Sequence, residues 1–308
     1  ADETPLGNSL TSPGKRGVKD SVRKLVERLR SRGVPSRPLP ESDPQSGHSF
    51  PFADASGKSG LTVFDDRALR FRTLTLASNS DVPAEFTDPR AAQGAFKIRI
   101  AKREGFQRDA GTLVERRYGD RGYATPASKQ DPHLFTFVAY DEGNLVGTVS
   151  IRLDSERGLG ADALYRDEID VLREGGCKIC EFTRLAVDVT VVSKAVLAGL
   201  FHTAYLYAGA MHGCTFMVIE VNPRHVSFYR RALGFEPIGP ERLNQRVNAP
   251  AVLLCASFDS IADGLKRFGG KLQQFPNERS LFPHGFSPRE EAGILQRLKA
   301  LEAKPKED

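Results

Sequence analysis

The chain has no tryptophan, only four cysteines in 308 residues, and no apolar run of the about 18 residues that a membrane span needs. Its N-terminus lacks the apolar segment of a secretory signal, so a cytoplasmic location is the expectation. Four cysteines (Cys177, Cys180, Cys214, Cys255) are too few for a disulfide framework in a chain this long. Cys177-Lys178-Ile179-Cys180 has the spacing of a metal or redox pair. However, Cys214 and Cys255 stand alone, and the pair leads into an apolar, strand-like run instead of opening a helix. No metal or redox cofactor is therefore expected. Net charge is also missing from most of the chain. The formal +5 arises within residues 1–40, where nine Lys/Arg face four Asp/Glu, and the remainder carries 35 of each sign. A basic tail on a neutral body gives no footprint for nucleic acid, which is not an expected partner.

What is present is ordinary for a globular protein, with 40% hydrophobic and 27% charged residues. Residues 1–60 form a basic, Pro/Ser-rich tail. Within it Val18, Val22, Leu25, Val26 and Leu29 recur at helical spacing among Lys19, Arg23, Lys24, Arg28 and Arg30. The 18–30 helix is expected to pack on the body; its alternative is weak contact with an anionic membrane surface, at the inner membrane, or with an acidic partner. Residues 61–270 read as the folded domain. Phe96–Ala101 alternates as a strand, Arg103–Tyr118 as a helix, and His133–Tyr140 with Leu145–Leu153 as a hairpin about Asp141-Glu142-Gly143-Asn144. A helix over Asp162–Arg173, a strand over Lys178–Val187 and a long apolar helix over Ser193–Met211 follow. Then come a strand over Thr215–Val221, a helix over Pro223–Leu233 capped by Asn222, and strands at Phe235–Ile238 and Ala251–Phe258. Residues 271–308 hold one amphipathic helix, with Ser287 as cap and Glu290 as its capping-box partner. Such mixing predicts an α/β (α+β) domain on one mostly antiparallel sheet flanked by helices.

Particular residues narrow this. Val221-Asn222-Pro223-Arg224-His225-Val226-Ser227-Phe228-Tyr229-Arg230-Arg231-Ala232-Leu233-Gly234-Phe235 resembles the strand–helix–strand signature of GNAT N-acyltransferases. Glu181-Phe182-Thr183-Arg184-Leu185-Ala186-Val187-Asp188 resembles the E-x-S/T-R-x-x-V-D segment of acyl-homoserine-lactone synthases, a GNAT branch. Together with Val247-Asn248-Ala249-Pro250-Ala251, the pair is most similar to the long-chain N-acyl amino acid synthases, over about residues 96–260. The resemblance implies a GNAT-like sheet splayed between its fourth and fifth strands, Lys178–Val187 and Thr215–Val221, with a thioester arm in the gap.

Glu181 and Arg184 are three apart, so in a regular strand they point to opposite faces. A bulge between them, which the resemblance implies, brings both toward the cleft. Glu181 is then the candidate acceptor of the amine proton. Arg184 either fixes Glu181 or clamps the carboxylate of an amino-acid acceptor. Tyr229 stands where many GNAT enzymes place a tyrosine that protonates the departing thiolate. Its alternative is a core aromatic, as it is for Phe228. Thr183, Asn222, His225 and Phe228 complete the substrate-binding set, with Asn222 also serving as a cap.

One absence bears on the donor. Coenzyme A-dependent members usually carry Q/R-x-x-G-x-G/A after the fourth strand, whose backbone N–H groups cradle a pyrophosphate. Here Val189-Thr190-Val191-Val192-Ser193-Lys194-Ala195 has no glycine before Gly199. A single phosphopantetheine phosphate needs less, and Ser193 and Lys194 at the helix start could hold it. The expected donor is therefore acyl-phosphopantetheine on acyl carrier protein, whose acidic surface would meet Arg224, Arg230 and Arg231; acyl-CoA ranks second. The acceptor is an amino acid. Rivals are lactone synthesis from S-adenosylmethionine and a GNAT-shaped module that binds carrier or lipid without catalysis. The N-terminal Arg, Trp and acidic pattern of the lactone synthases is not evident here.

Overall fold

Period-two alternation builds the sheet and sorts its two faces. The computed structural model describes residues 22–28, 62–65, 96–101, 110–114, 131–141, 143–187 and 194–303. Strands β1 (Thr62–Asp65), β2 (Phe96–Ile100), β3 (Leu134–Asp141), β4 (Asn144–Leu153) and β5 (Ile179–Val187) form an antiparallel meander. Next, β6 (Phe216–Val221) pairs parallel to β5, and β9 (Ala249–Ser257) pairs antiparallel to β6. The short strands β7 (Glu236–Pro237) and β8 (Arg242–Asn244) share the outer edge of β9. The spatial order is β1-β2-β3-β4-β5-β6-β9-β7, so the mixed, mostly antiparallel sheet read from the sequence is the one observed.

The β5–β6 ladder covers only Ile179–Phe182 against Phe216–Ile219, after which the two strands part. These are the strands expected to splay. They are fifth and sixth here because β1 adds an edge strand ahead of Phe96. The wedge so formed locates the site described below.

Residues on alternate sides of each strand join different clusters. Cys180 and Phe182 of β5, with Met217, Ile219 and Val221 of β6, face the larger cluster. Ile179, Phe216 and Val218 face the smaller one. Helices α1 (residues 22–28), α2 (residues 110–114) and α3 (Asp162–Glu174) lie on the smaller side. Val22 and Val26 of α1 are buried with Ile169 and Leu172 of α3, and Arg23 meets Glu174 at 3.2 Å. Thus the described part of the N-terminal helix spends its apolar face on the body. The rest of that helix, the linker and most of Arg103–Tyr118 lie outside the described residues.

The larger side carries α4 (Lys194–Leu206), α5 (Val226–Leu233), α6 (Phe258–Phe268) and α7 (Pro288–Ala303). Helix α4 is apolar all round because it is covered on both sides, by the sheet and by the C-terminal helices. It ends in one π turn, Tyr207–Met211. Among the described residues no helix is long and apolar enough to cross a membrane.

The capping expectations translate into contacts. Asn222 Oδ1 accepts from the Arg224 N–H at 3.2 Å. The predicted helix over Pro223–Leu233 opens as a 3-10 turn (Pro223–His225) before α5 and stops at Gly234, which takes φ +74°. Ser287 and Glu290 form a reciprocal box, Ser287 N–H to Glu290 Oε2 at 2.7 Å and Glu290 N–H to Ser287 Oγ at 3.4 Å. Strand β8 and helix α6 have no counterpart in the sequence reading.

Candidate active site

Where β5 and β6 part, a cleft of about 200 Å³ opens. Its walls come from Glu181–Val187, from Ile219–Asn222 with the following helix, and from the β8–β9 hairpin. The β5–β6 ladder ends at Phe182, so beyond it Thr183–Val187 of an interior strand border the cleft instead of pairing with β6. A bulge is present, but it falls at Arg184 and Leu185 instead of between Glu181 and Arg184, where it was expected. Ser150 pairs with Thr183 and Thr148 with Ala186, so Arg184 and Leu185 together oppose the single Val149. Arg184 adopts φ +52°, a conformation a side-chain-bearing residue enters at about 1–2 kcal/mol. The strain sits on the residue that turns the strand into the cleft.

Glu181 precedes the bulge and is 5% exposed. Its Oε2 accepts the Gly160 N–H at 2.6 Å, at the approach to α3. A Cβ at residue 160 would lie 3.1 Å from each carboxylate oxygen, so glycine is what permits this approach. Burial pushes the Glu181 carboxyl up to about 6, and the Glu220 carboxylate adds to the rise. The Gly160 N–H, Arg152 and the Ala161 N–H pull the other way. Such a group can hold or release a proton near neutral pH.

Glu220 was not singled out from the sequence, yet it lines the same cleft from β6. Burial raises its carboxyl as well, opposed by Asn244 and Arg246. Asn244 Nδ2 donates to Glu220 Oε1, and Asn244 Oδ1 accepts the Arg246 N–H at 3.0 Å. The signal available was a lone carboxylate in Phe-Met-Val-Ile-Glu-Val, an otherwise apolar strand; nothing local revealed Asn244 or Arg246.

Two ion-pair networks hold these pieces. Arg173 of α3 reaches Asp154 at 2.8 Å, Asp162 at 2.7 Å and Asp170 at 2.7 Å, which fixes the loop presenting Gly160. Arg242 of β8 grips the fully buried Glu168 of α3 at 2.6 and 3.0 Å and lies 4.7 Å over the Tyr165 ring. The Tyr165 hydroxyl donates to the Ala251 carbonyl at 2.6 Å. Through these contacts the hairpin wall of the cleft is anchored to α3.

The cleft brings together Glu181, Thr183, Arg184, Asn222, Arg224, His225, Phe228 and Tyr229. Tyr229 is 7% exposed, and its ring meets Phe228, Phe235 and Phe201 edge-on at 5.2, 6.2 and 6.4 Å. It is a core aromatic that also reaches the cleft wall. Arg224 Nε donates to His225 Nε2 at 3.1 Å. Three of the basic candidates stand elsewhere. Lys194 begins α4, where burial lowers its ammonium, and its charge bears on His284. Arg230 is exposed and meets Glu236 at 3.4 Å. Arg231 follows it on α5, and neither lines the cleft. Ser193 lies outside the described residues. Cys180 is buried with Cys214 as its neighbour, on the core side of β5.

The profile of the family described as N-acyl amino acid synthase FeeM matches residues 109–257. The solved structure of FeeM, an N-acyl amino acid synthase from uncultured soil microbes, is 30% identical with a TM-score of 0.50. The match covers 54% of this chain and 92% of that one. The acyl-homoserine-lactone synthase LasI is 16% identical at a TM-score of 0.40, over 54% of this chain and 91% of that one. Escherichia coli ElaA is 9% identical at 0.40, over 52% and 98%. No curated protein sequence matches the chain. Residues beyond 257, including α6 and α7, fall outside the matched segment. On the FeeM match, the chain is an acyltransferase and belongs to the FeeM N-acyl amino acid synthase family.

Proposed function

We propose that this N-acyltransferase joins a fatty acyl group, delivered as a thioester on acyl carrier protein, to the α-amino group of an amino acid in the cytoplasm. The observation that carries the reading is a cleft with both signs of charge where β5 and β6 part. Carboxylates of Glu181 and Glu220 suit an ammonium, while Arg184 and Arg246 suit a carboxylate. A free amino acid presents both.

In the proposed reaction Glu181 takes a proton from the acceptor ammonium, directly or through water. The amine nitrogen then attacks the thioester carbonyl carbon, and the C–N bond forms. Backbone N–H groups at the bulged edge of β5 stabilise the oxyanion. The C–S bond breaks as the carbonyl reforms; the Tyr229 hydroxyl protonates the departing thiolate, and the second proton released by the new amide nitrogen returns to the tyrosinate. Arg184 holds the acceptor carboxylate, with Thr183, Asn222, His225 and Phe228 around it. The preference for a carrier protein over coenzyme A rests on the glycine-free Val189–Ala195 connection, with Ser193 and Lys194 toward the phosphate and Arg224, Arg230 and Arg231 toward the acidic carrier. Contact of the 18–30 helix with a membrane is not needed, since Val22 and Val26 are buried on α3.

The test is to mix the purified chain with acyl carrier proteins and coenzyme A loaded with several chain lengths, and with a mixture of amino acids. Mass spectrometry should find N-acyl amino acid formed preferentially from the carrier-bound donor. Lactone formed only with S-adenosylmethionine would replace this reading by the signalling reaction. Stable carrier binding without any product would make the protein a binding module.

A further inference from the structure

The wedge between β5 and β6 has two unlike sides. Cys180 and Phe182 of β5, with Ile219 and Val221 of β6, point to the α4 side, which is apolar. Residues one step along each strand point to the α3 side. There β5 carries Glu181 and Thr183, β6 carries Glu220, and Asn244 of β8 joins them.

Register spaces the two carboxylates. Glu181 stands opposite Val218, the ladder ends at Ile219, and Glu220 is the next residue of β6. Two residues along and one strand across put its backbone about 8 Å from that of Glu181. Each carboxylate is held by an uncharged donor. Glu181 Oε2 takes the Gly160 N–H, and Glu220 Oε1 takes the Asn244 side-chain amide. Asn244 is itself buried, and its Oδ1 is occupied by the Arg246 N–H, so its amide is turned toward Glu220. Arg246 favours the charged form of Glu220 without forming an ion pair with it. Among the described residues neither carboxylate has an ion-pair partner.

A half-buried carboxylate with one neutral donor and no cation is costly unless a ligand brings the charge. The α-ammonium of the acceptor satisfies one such group, and in the proposed reaction that group is Glu181. Glu220 is then left for another part of the same molecule. A hydroxyl there would supply a hydrogen bond but no charge. An apolar side chain would bury the carboxylate without a partner, and an acidic one would be repelled. A terminal ammonium, one side-chain length from the α-nitrogen, matches both the spacing and the sign.

We infer that Glu220 selects the acceptor, an amino acid whose side chain ends in a cation, of the lysine or ornithine kind, bound with its α-amino group at Glu181 and its terminal ammonium at Glu220. The inference rests on the acyl-transfer reading of the cleft and adds to it the class of the acceptor. Asn244 serves as a positioning residue, since it acts on the ligand through Glu220.

The experiment compares acceptors that differ only at that end. Lysine is set against norleucine, its near-isostere without the terminal nitrogen, and both against glutamate, in the wild type, Glu220→Gln and Glu220→Lys, with thermal melts to confirm folding. The wild type should favour lysine over norleucine roughly 10²-fold in kcat/KM, mostly through KM. In Glu220→Gln that ratio should fall close to one, and in Glu220→Lys glutamate should overtake lysine. A wild type that acylates norleucine as well as lysine overturns the inference, and so does a lysine preference that survives in folded Glu220→Gln. Calorimetry of the same amino acids without any acyl donor separates this assignment from the reaction. If the wild type acylates no amino acid, the acyl-transfer reading fails and binding alone decides. Lysine held more tightly than norleucine by the wild type, but not by Glu220→Gln, then upholds the role of Glu220. Equal binding of the two by the wild type, or none, overturns it.

Discussion

At the scale of single residues, Glu181 is held in opposition to its own burial. Its carboxyl is raised to about 6 although Gly160, Arg152 and Ala161 all favour the ionised form. The linkage has a definite sign. Between the ordinary 4.5 and about 6 the folded protein binds more of this proton than the unfolded chain does, so its contribution to stability falls as pH rises through that window. Above it the ionised carboxylate destabilises the fold by about 2 kcal/mol. Glu181→Gln should therefore raise the denaturation midpoint at pH 8 relative to wild type. The same change should lower turnover roughly 10²–10⁴-fold and abolish the rise of kcat/KM with pH near 6. Unchanged turnover in Glu181→Gln would remove the residue from the proposed chemistry. Gly160→Ala is a gentler probe of the same atom pair. Its Cβ would fall 3.1 Å from both carboxylate oxygens and force them aside by a few tenths of an ångström. We expect a clear loss of kcat with little change in the melting temperature, read by steady-state kinetics alongside calorimetry.

At the scale of elements, α3 is the part from which the site hangs. One of its arginines organises the loop that carries Gly160, and one of its glutamates receives the arginine that positions β8. Arg173→Leu leaves Asp154, Asp162 and Asp170 facing one another, with Arg173 itself about a quarter exposed. A loss of about 2–3 kcal/mol in urea denaturation is expected, smaller than for a fully buried pair. The kcat/KM pH limb should also shift, because the loop no longer fixes Gly160 against Glu181.

This coupling explains what could be read from the sequence and what could not. Strands β2 to β6 alternate cleanly, and the caps at Asn222 and Ser287 are local signals, so both were legible. The charge of the motif around Glu181 was legible too. The left-handed turn of Arg184 accompanies its pairing with β4 and has no counterpart in the sequence reading; the family resemblance implied only a bulge, between Glu181 and Arg184. Strand β8 is three residues long and exists because β9 offers it an edge. Glu220 meets Asn244, 24 positions away, in a contact no local periodicity encodes. Helix α6 begins where strand-like apolar residues of β9 end at Ser257, whose Oγ accepts the Ser260 N–H; the continuous apolar run hid that boundary.

At the scale of the whole molecule, the C-terminal segment is part of the main core. Ile294 and Leu298 of α7 are fully buried in the cluster that contains α4 and the sheet. Leu298→Ala should therefore destabilise the protein by about 2–5 kcal/mol, as measured by chemical denaturation. A loss of a few tenths would mean that α7 merely rests on the surface.

The parting of β5 and β6 has a consequence for the folded state itself. Most proteins expose strand edges only at their margins, where charge or cover keeps other chains away. Here such an edge lies in the middle of the sheet, as a zip closed for only part of its length. The empty enzyme thus carries a seam, and whatever lies along it makes bonds that the open protein lacks. By mass action, any molecule that binds along the seam of the folded protein adds to its stability in proportion to its occupancy, so the empty protein is the least stable form.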